Sequence, residues 1–455
     1  MKVVVVGTGY VGLTTGVALA YLGNNVSCID IDPGKIDSLK HGKIPIFEPG
    51  LEELLAISKE NMKFTSSYDE AGIDSCDVVF IAVGTPSLPD GNADLTFVKS
   101  AAEAVGARLN HSFTVVVNKS TVPIGSGNWV GSLLKAAYVG GKGAQPEAKY
   151  AVASNPEFLS QGTALADTLY PDRVVIGSEE ARAIDTLTNL YRPLLNQDFP
   201  APAFLPRPDG LSAIPVVTCD LTSAELIKYA ANSFLALKIS YMNEIAHLAE
   251  KVGADISQIA RGIGLDERIG SRFLRAGIGW GGSCFGKDTA ALVAISKDYG
   301  MNMPIVRAAR EVNYHQRTWV VETLLHELKI LKGKTVALLG FAFKPNTDDL
   351  RDAPAVDIAR QLVQHGARVQ ATDPVALGNA RRLYPDLGVI YYDQPLEALR
   401  NADAVVLVTE WAEYADLDWV KVKTVLENPL ILDGRNFLDR HELIRLGYQY
   451  IGVGK

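Results

Sequence analysis

The chain has 455 residues, of which 47% are hydrophobic, and it carries a formal net charge of -8. This length suits roughly three domains of ~150 residues, and the apolar content is enough to build a core in each. The acidic balance argues against a general nucleic-acid binder or a protein held on anionic membranes, because both need clustered positive charge.

The cysteines and the apolar runs indicate a cytoplasmic protein. Four cysteines without paired or metal-ligand spacing are typical of a reducing compartment, so we expect neither a disulfide framework nor a metal site. The apolar run at residues 2–6 is too short for a secretory signal and predicts a strand. No apolar stretch reaches the ~18 residues of a membrane span.

Short apolar runs that end in glycine or an acid predict buried strands at both ends of the chain. These runs cover residues 3–7, 26–30, 77–84 and 114–119, and then residues 336–340, 369–373, 403–409 and 430–434. Continuous apolar strands separated by helical stretches are what a parallel sheet covered on both faces requires. We therefore predict an α/β fold with two doubly wound, Rossmann-like domains, joined by a helical middle region.

That middle region shows helical periodicity from about residue 222 to residue 313. One long helix, ended by Gly253, has an apolar face of Leu226, Ala230, Phe234, Leu237, Tyr241, Ile245, Leu248 and Val252. This face suits either pairing between subunits or burial against the chain itself. Five prolines within residues 197–217 predict a loop before the helix. We place the domains at residues 1–205, 206–320 and 321–455.

The sequence Gly-Thr-Gly-Tyr-Val-Gly at positions 7–12 joins the first predicted strand to a helical pattern. Its glycines permit a tight turn and a close approach of backbone amides to a pyrophosphate at the amino end of the helix. Asp30 ends the second strand, where a carboxylate accepts both ribose hydroxyls and repels a 2′-phosphate. The first domain is therefore predicted to bind NAD rather than NADP. Lys35 is a candidate contact to the adenosine, although an exposed, solvated lysine is the ordinary expectation.

Cys284 lies in Gly-Gly-Ser-Cys-Phe-Gly-Lys-Asp at positions 281–288, ahead of an apolar helical stretch. A thiolate could trap an aldehyde as a thiohemiacetal, which a second hydride transfer turns into a thioester that water cleaves. If the helix begins near Cys284, its dipole and Lys287 would lower the pKa of the thiol. The alternative is a structural cysteine in a tight glycine turn. Asp288 suits either an ordinary acid of the first helical turn or a group that positions a proton-accepting water.

Further polar residues suit the same chemistry. Lys228 and Asn232 lie four residues apart on one helix face and could stabilise an oxyanion, although a helix lysine is usually solvated. Glu157 follows a predicted strand at residues 150–153 and could activate the water that cleaves a thioester; a surface glutamate in a proline turn is the alternative. Lys344 follows a strand of the last domain and could meet a phosphate.

Together these motifs resemble the UDP-glucose/GDP-mannose dehydrogenase family over essentially the whole chain. The matching segments, in the family's order, are residues 7–12, 83–86, 119–123, 155–159, 228–232, 281–285 and 340–344. The resemblance implies oxidation of UDP-glucose, with water and two NAD, to UDP-glucuronate and two NADH. Relatives that oxidise GDP-mannose or N-acetylated UDP-sugars share the cysteine chemistry, although residues 231–238 and 273–277 are more similar to the UDP-glucose branch. A catalytically silent NAD-binding regulator is the alternative from another class.

The resemblance also implies roles for individual residues, with the UDP-sugar held by the last domain. The implied catalytic residues are the nucleophile Cys284, its oxyanion partners Lys228 and Asn232, the water-positioning pair Asp288 and Thr121, and the acid–base residue Glu157. The implied cofactor contacts are Gly7, Gly9, Tyr10, Val11, Gly12, Asp30, Lys35, Thr85, Thr121, Gln161, Lys287 and Arg351. The implied substrate contacts are Glu157, Phe158, Leu159, Gln161, Lys228, Asn232, Phe273, Leu274, Arg275, Gly277, Gly281, Lys344 and Arg435.

Two positions carry further expectations from the same resemblance. Arg268 matches a position that in the family reaches the site of the neighbouring subunit, so a homodimer is expected. Many members carry glutamate where this chain has Gln161. An amide there could form hydrogen bonds to cofactor or substrate, but it could not act as a base.

Overall fold

The computed structural model describes residues 1–110, 112–142 and 149–455, with the side chains of residues 140–142 left out. The chain divides into two units, Met1–Ala230 and Ala231–Lys455. Within these ranges, no helix combines the length and apolar character that crossing a bilayer requires.

The first unit is built on one sheet. Its strands are β1 (Lys2–Val6), β2 (Asn25–Ile29), β3 (Met62–Thr65), β4 (Val78–Ile81), β5 (Thr114–Asn118), β6 (Tyr150–Ser154), β7 (Val174–Gly177) and β8 (Val216–Cys219). They lie in the order β3-β2-β1-β4-β5-β6-β7-β8, and every pair is parallel except β6 and β7, which meet in antiparallel orientation. Alternate residues of β1 enter two separate apolar clusters, with Val3 and Val5 in one and Val4 and Val6 in the other. Both faces of the sheet are therefore covered, which is why its central strands are apolar throughout.

Helices cover these two faces. They are α1 (Tyr10–Tyr21), α2 (Pro33–Lys40), α3 (Leu51–Ser58), α4 (Thr96–Gly106), α5 (Ser126–Lys142), α6 (Ala164–Leu169) and α7 (Ala181–Leu195), with short 3₁₀ turns at Lys59–Asn61 and Ile73–Ser75. Helix α8 (Leu221–Val252) begins in this unit and continues into the second.

The second unit repeats the strand order of the first. Its strands are β9 (Thr335–Leu339), β10 (Arg368–Thr372), β11 (Val389–Tyr391), β12 (Ala404–Leu407), β13 (Leu430–Asp433) and β14 (Gln449–Gly452). The all-parallel order β11-β10-β9-β12-β13-β14 matches the order of β1 to β6 in the first sheet. Its further helices are α9 (Ile256–Gly264), α10 (Phe285–Asp298), α11 (Pro304–Leu328), α12 (Pro354–Gln364), α13 (Leu377–Leu383), α14 (Pro395–Ala398), α15 (Ala412–Ala415), α16 (Trp419–Val425) and α17 (Arg440–Arg445).

The predicted fold class is confirmed, and each predicted strand run contains an observed strand. The long helix ends as predicted before Gly253, whose φ of +73° allows the chain to leave the helix. The predicted loop at residues 197–217 is wrong at its end, because β8 begins at Val216. The β-branched residues Val216 and Val217 extend the sheet beyond β7. The prolines ahead of them are typical of a loop, so the sequence does not predict this short edge strand.

Helix α8 exposes its large apolar side chains in the second unit. Phe234, Tyr241, Leu248 and Val252 are 61%, 51%, 58% and 66% exposed. The buried positions of the same stretch are mostly small or polar, namely Asn232, Ser233, Ala236, Ser240, Met242, Asn243, Ala246 and Ala249. Burial of the four large side chains against the chain itself is therefore wrong, and the alternative of subunit pairing stands.

Candidate active site

The loop between β1 and α1 has the geometry of a pyrophosphate cradle. Gly7 has φ +101°, and a Cβ there would lie 2.5 Å from the backbone oxygen of Ala82. A Cβ on Gly12 would lie 2.0 Å from the backbone oxygen of Gly7, whereas Gly9 faces open space at the uncapped amino end of α1. Two glycines thus permit close packing, and Gly9 leaves room for an anion at the helix amides.

Asp30, directly after β2, is held as a carboxylate. The backbone N–H and hydroxyl of Thr8 donate to its Oδ2 at 2.9 and 2.6 Å, and the N–H of Asp32 donates to Oδ1 at 3.0 Å. Burial raises the pKa of Asp30, but these hydrogen bonds outweigh it, and the net pKa lies below its ordinary value. Lys35 Nζ lies 4.0 Å from Oδ2. An ionised group with acceptor capacity on Oδ1 suits ribose hydroxyls and repels a 2′-phosphate, so these residues fit NAD.

Asp373 occupies the equivalent position after β10 in the second sheet. Its Oδ2 accepts from the N–H groups of Phe341 and Ala342 at 2.7 and 2.9 Å and from the indole of Trp411 at 3.2 Å. Its Oδ1 accepts from the N–H groups of Val375 and Ala376 at 3.0 and 2.8 Å. Five donors therefore meet one carboxylate, and Asp373 fixes the loop after β9.

Four other cofactor candidates have contacts within the protein. The Tyr10 hydroxyl donates to the backbone oxygen of Phe47 at 3.1 Å, and Val11 packs against the apolar cluster of this unit. Thr85 Oγ1 donates to the backbone oxygen of Thr121 at 2.9 Å, which brings these two predicted residues together.

Glu157 and Lys228 form a buried ion pair. Lys228 Nζ lies 3.0 Å from Glu157 Oε1 and donates to the backbone oxygen of the same residue at 2.6 Å. The side chain of Glu157 is 7% exposed and that of Lys228 is 3% exposed. The alternatives of a surface glutamate and a solvated lysine are therefore wrong. Glu157 Oε2 is buried and has no hydrogen-bond partner in the described part of the chain. A carboxylate that has one oxygen in an ion pair and the other without a hydrogen-bond partner can accept a proton at the second oxygen.

The residues next to Glu157 are partly or fully buried. Phe158 lies beneath the Arg173 guanidinium, whose carbon is 3.6 Å from the ring centre, and Lys228 Nζ is 5.4 Å from the same centre. Leu159 is half-buried and Gln161 is buried.

Lys119, which follows β5, is a buried cation to which the sequence argument assigned no role. Its Nζ donates to Asn155 Oδ1 at 2.9 Å, and the hydroxyl of Tyr191 donates to the same oxygen at 2.6 Å. Burial lowers the pKa of Lys119 to about 8, Glu157 opposes this shift, and Lys228 adds to it. The available signal was a lysine placed directly after a fully buried strand.

Glu225, on α8 one turn before Lys228, was also missed. Its carboxylate accepts from the backbone N–H of Gly125 at 2.6 Å and of Gly127 at 2.7 Å. Burial raises the pKa of Glu225 to about 7, against the lowering effect of these two hydrogen bonds. Glu225 thereby ties the start of α5 to α8, just after the segment that carries Thr121. Its position on the helix face of Lys228 was the signal for it.

In the second unit, Cys284 immediately precedes α10, as predicted. Its Sγ lies 3.7 Å from the hydroxyl oxygen of Ser283, and its backbone oxygen accepts from Asp288 N at 2.8 Å, which closes the first helical turn. The thiol group thus belongs to the amino end of a helix of 14 residues, where a thiolate is favoured by the helix dipole.

The glycines ahead of Cys284 are required by packing. A Cβ on Gly281 would lie 2.3 Å from the backbone oxygen of Asp352, and one on Gly282 would lie 2.6 Å from the Phe343 ring. Gly282 has φ +86° and donates its N–H to the backbone oxygen of Arg351 at 2.9 Å. This turn presses directly on residues 343–352, which fixes the start of α10.

Asp288 joins two of the predicted residues. Asn232 Nδ2 donates to Asp288 Oδ2 at 2.6 Å, and Lys287 Nζ donates to Oδ1 at 2.6 Å. Asp288 lies in the first turn of α10 but is only 1% exposed, so it is a buried carboxylate that accepts two hydrogen bonds. The charge of Lys287 is engaged with this carboxylate.

The predicted sugar-binding segment contacts the last sheet. Gly277 donates its N–H to Asn243 Oδ1 at 2.8 Å, and a Cβ on it would lie 3.4 Å from Arg435 Nη1. Arg435 donates to the backbone oxygens of Val408 and Gly279 at 2.7 and 3.0 Å. The structure therefore brings Gly277 and Arg435 together.

The remaining predicted residues lie in varied surroundings. Phe273 has φ +64°, unusual for a non-glycine residue, and its ring meets Phe285 edge-on at 6.3 Å between centres. Leu274 is buried and Arg275 exposed. Lys344 Nζ lies 5.7 Å from the Phe343 ring centre.

Two predicted arginines are paired with nearby aspartates. Arg351 donates from Nε and Nη2 to Asp349, at 2.9 and 2.6 Å. Arg268 has a side chain that is 88% exposed and donates to Asp266 at 2.5 Å. Within residues 1–110, 112–142 and 149–455, the side chain of Arg268 is paired with Asp266, which is not one of the predicted site residues.

Comparison with known proteins agrees with the resemblance. Residues 1–195, 222–315 and 337–440 match the NAD binding domain, the central domain and the UDP binding domain of the UDP-glucose/GDP-mannose dehydrogenase family. The chain is 45% identical over 456 residues to the UDP-glucose 6-dehydrogenase TuaD of Bacillus subtilis (strain 168), covering 100% of this chain and 93% of that protein. It is 44% identical over 462 residues to the UDP-glucose 6-dehydrogenase of Rhizobium meliloti (strain 1021), with 100% of both covered.

A solved structure gives the same result. A UDP-glucose dehydrogenase from the hyperthermophilic archaeon Pyrobaculum islandicum is similar with a TM-score of 0.88 at 38% identity, covering 99% of this chain and 97% of that one. The predicted cofactor is confirmed as NAD by the NAD binding domain at residues 1–195. The chain belongs to the UDP-glucose/GDP-mannose dehydrogenase family.

Proposed function

We propose that the protein oxidises UDP-glucose to UDP-glucuronate, with two NAD and one water consumed. The observation that carries the proposal is Cys284 at the amino end of α10, one helical turn from the buried Asn232–Asp288 pair. Names of relatives that match the full length support UDP-glucose as the substrate. Bound NAD accepts one hydride in each of the two oxidations.

The first oxidation removes a proton and a hydride from the C6 alcohol and leaves an aldehyde. Asp288 orients the water that takes the proton, and Thr121 is the second residue that the resemblance assigns to this water. Each oxygen of Asp288 accepts one hydrogen bond, and a carboxylate has further lone pairs with which to orient a water.

Cys284 then adds to the aldehyde carbon as a thiolate, and the carbonyl oxygen becomes an oxyanion. The ammonium of Lys228 and the amide of Asn232 stabilise this oxygen. They lie one helical turn apart on α8, and an amide nitrogen that gives one hydrogen to Asp288 has a second to donate. Departure of the second hydride collapses the thiohemiacetal to a thioester on Cys284.

Hydrolysis completes the cycle. Water attacks the thioester carbon while Glu157 takes its proton at Oε2, the oxygen that has no partner in the described part of the chain. The carbon–sulfur bond breaks, Cys284 leaves as a thiolate, and the acid ionises. Two protons are released in this stage, and the enzyme returns to its starting state.

The test is purified protein with NAD and a panel of nucleotide sugars, following NADH per sugar consumed. We expect two NADH per UDP-glucose and UDP-glucuronate as product. Two NADH per GDP-mannose or per N-acetylated UDP-sugar, without UDP-glucose turnover, would reassign the substrate. No turnover with any sugar would favour the NAD-binding regulator. Cys284→Ser should form no acid, because an alkoxide ester is not made or cleaved at a comparable rate; undiminished acid formation would exclude the covalent route.

The proposal includes a cytoplasmic homodimer. Four large apolar side chains on α8 are exposed, namely Phe234, Tyr241, Leu248 and Val252, and a second copy of this helix would cover them. The exposed Arg268 is then available to a neighbouring subunit. None of the four cysteines is bridged, which suits a reducing compartment.

A further inference from the structure

Two cations and one carboxylate are buried together beside the carboxyl ends of β5 and β6. Lys119 is 8% exposed, Lys228 3% and Glu157 7%. Glu157 and Lys228 both act electrostatically on Lys119. With all three ionised, the trio holds two cations and one carboxylate, so Glu157 has a second cation beside Lys228.

Lys119 is not needed to satisfy Asn155. The hydroxyl of Tyr191 donates to the same Asn155 oxygen, and Asn155 Nδ2 donates to the backbone oxygen of Val175 at 2.7 Å. The N–H of Asn155 also donates to the backbone oxygen of Asn118 at 2.9 Å. What Lys119 adds to this arrangement is its positive charge.

That charge matters when one ammonium must serve two anions. At rest Lys228 is the direct partner of Glu157. During hydrolysis, Lys228 is needed at the thioester oxygen while Glu157 is still the carboxylate that will take the proton. The attack of water moves the negative charge from Glu157 to the oxyanion and leaves the net charge of the site unchanged, so Lys119 can balance Glu157 while Lys228 serves the oxygen.

We propose that Lys119 is a positioning residue for the hydrolytic step, supplying Glu157 with a second positive charge so that Lys228 can serve the oxyanion. The inference rests on the proposed function. Lys119 does not contact the sugar in this proposal. Its charge affects the cleavage of the thioester rather than the first oxidation.

The experiment compares Lys119→Met with Tyr191→Phe in rapid-mixing measurements of NADH, using UDP-glucose and NAD. Both variants lose a donor to Asn155, but only Lys119→Met loses a charge. We expect Lys119→Met to keep a rapid burst of NADH, then to turn over about 10- to 100-fold more slowly than the wild type, with the thioester on Cys284 visible by mass spectrometry. Tyr191→Phe should keep both phases within about twofold of the wild type.

Lys119→Gln guards against a folding defect, since it keeps an N–H donor near Asn155 while removing the charge. It should share the slow phase of Lys119→Met, and Lys119→Arg should restore steady-state turnover. Wild-type steady-state rates in both neutral variants would overturn the inference, as would an equal defect in Tyr191→Phe. A wild type that makes no NADH from UDP-glucose would instead overturn the proposed function, on which the inference depends.

Discussion

Lys228 Nζ contacts two oxygens of Glu157, Oε1 at 3.0 Å and the backbone oxygen at 2.6 Å. The second contact fixes the ammonium to the main chain, so movement of the carboxylate does not release it. Two contacts therefore join a proposed base to a proposed oxyanion donor, and the buried Glu157 Oε2 has no hydrogen-bond partner within the described residues.

Replacing Glu157 by Gln should stop the cycle at the thioester. The amide oxygen can still accept from Lys228, but an amide cannot take a proton from water. We expect a burst of two NADH per site followed by turnover slowed by about 10²- to 10³-fold, with the thioester retained on Cys284. Glu53→Gln, on the exposed side of α3, is the control and should behave as the wild type. Loss of the burst itself would place Glu157 in an earlier step.

Replacing Asp288 by Asn should slow the first oxidation. The substitution removes the charge that Lys287 pairs with and weakens the hold on the proton-accepting water. We expect the NADH burst to slow by about 10²-fold or more, without thioester accumulation. Asp298→Asn, exposed at the other end of α10, should leave the burst unchanged. A normal burst with slow hydrolysis would contradict this role for Asp288.

Glu225 should make stability depend on pH in the acid-to-neutral range. Its pKa rises from 4.5 to about 7 on folding, so the folded state favours the protonated form. Its contribution is full below pH 4.5 and is lost as pH rises through about 7. Relative to Glu225→Gln, the urea midpoint of the wild type should therefore fall across this window and level off above it.

Glu179→Gln, exposed in the same unit, serves as the matched control for that pH series. Its midpoint should follow the wild type at every pH. A constant difference between the wild type and Glu225→Gln would show that Glu225 does not titrate in this range.

Gly281→Ala should destabilise the turn before Cys284. The new Cβ would lie 2.3 Å from the backbone oxygen of Asp352, so one of the two segments must shift, at a cost of about 1–3 kcal/mol. We expect a lower melting temperature and weaker activity. Gly262→Ala, in α9 with open space around it, should instead be neutral or stabilise by up to about 1 kcal/mol. Equal melting temperatures for the two variants would contradict the packing argument.

Leu248→Glu should dissociate the proposed dimer. The side chain is 58% exposed in the single chain, and a charge buried by a second α8 would lack a partner. Sedimentation should give the mass of a dimer for the wild type and of a monomer for Leu248→Glu. Val420→Glu, equally exposed on α16, should remain dimeric. A monomeric wild type, or a dimeric Leu248→Glu, would exclude this face as the interface.

The sequence predicted most of the fold because strands buried on both faces are apolar throughout. Edge strands lack this signal: β8 has only partly buried or exposed residues, and its sequence predicts a loop instead. The long helix was found by periodicity, but its orientation was not, because the buried face of α8 consists mainly of small and polar residues. Hydrophobic periodicity shows that a helix has an apolar face, but it does not show whether this face packs against the core of the chain.

The position of a candidate site residue was predictable where that residue lies in a recognisable local motif. Asp30 and Cys284 are defined by the strand or helix end beside them, which short-range sequence reveals. Lys119 is different, because its burial depends on Asn155 and Tyr191, both 36 or more positions away. Local sequence preferences do not reveal that residues so far apart in the chain come into contact.

The aspartates that follow β2 and β10 differ in a way that would keep two nucleotides apart in the proposed enzyme. Asp30 has three close donors and retains acceptor capacity, whereas the five donors on Asp373 exhaust the lone pairs of its two oxygens. Under the proposed function, a ribose that entered the second sheet would have to break a hydrogen bond within the protein to gain the anchor that Asp30 offers in the first. The proposed oxidant and substrate could thus be present together at high concentration without exchanging places, although the two sheets share one strand order.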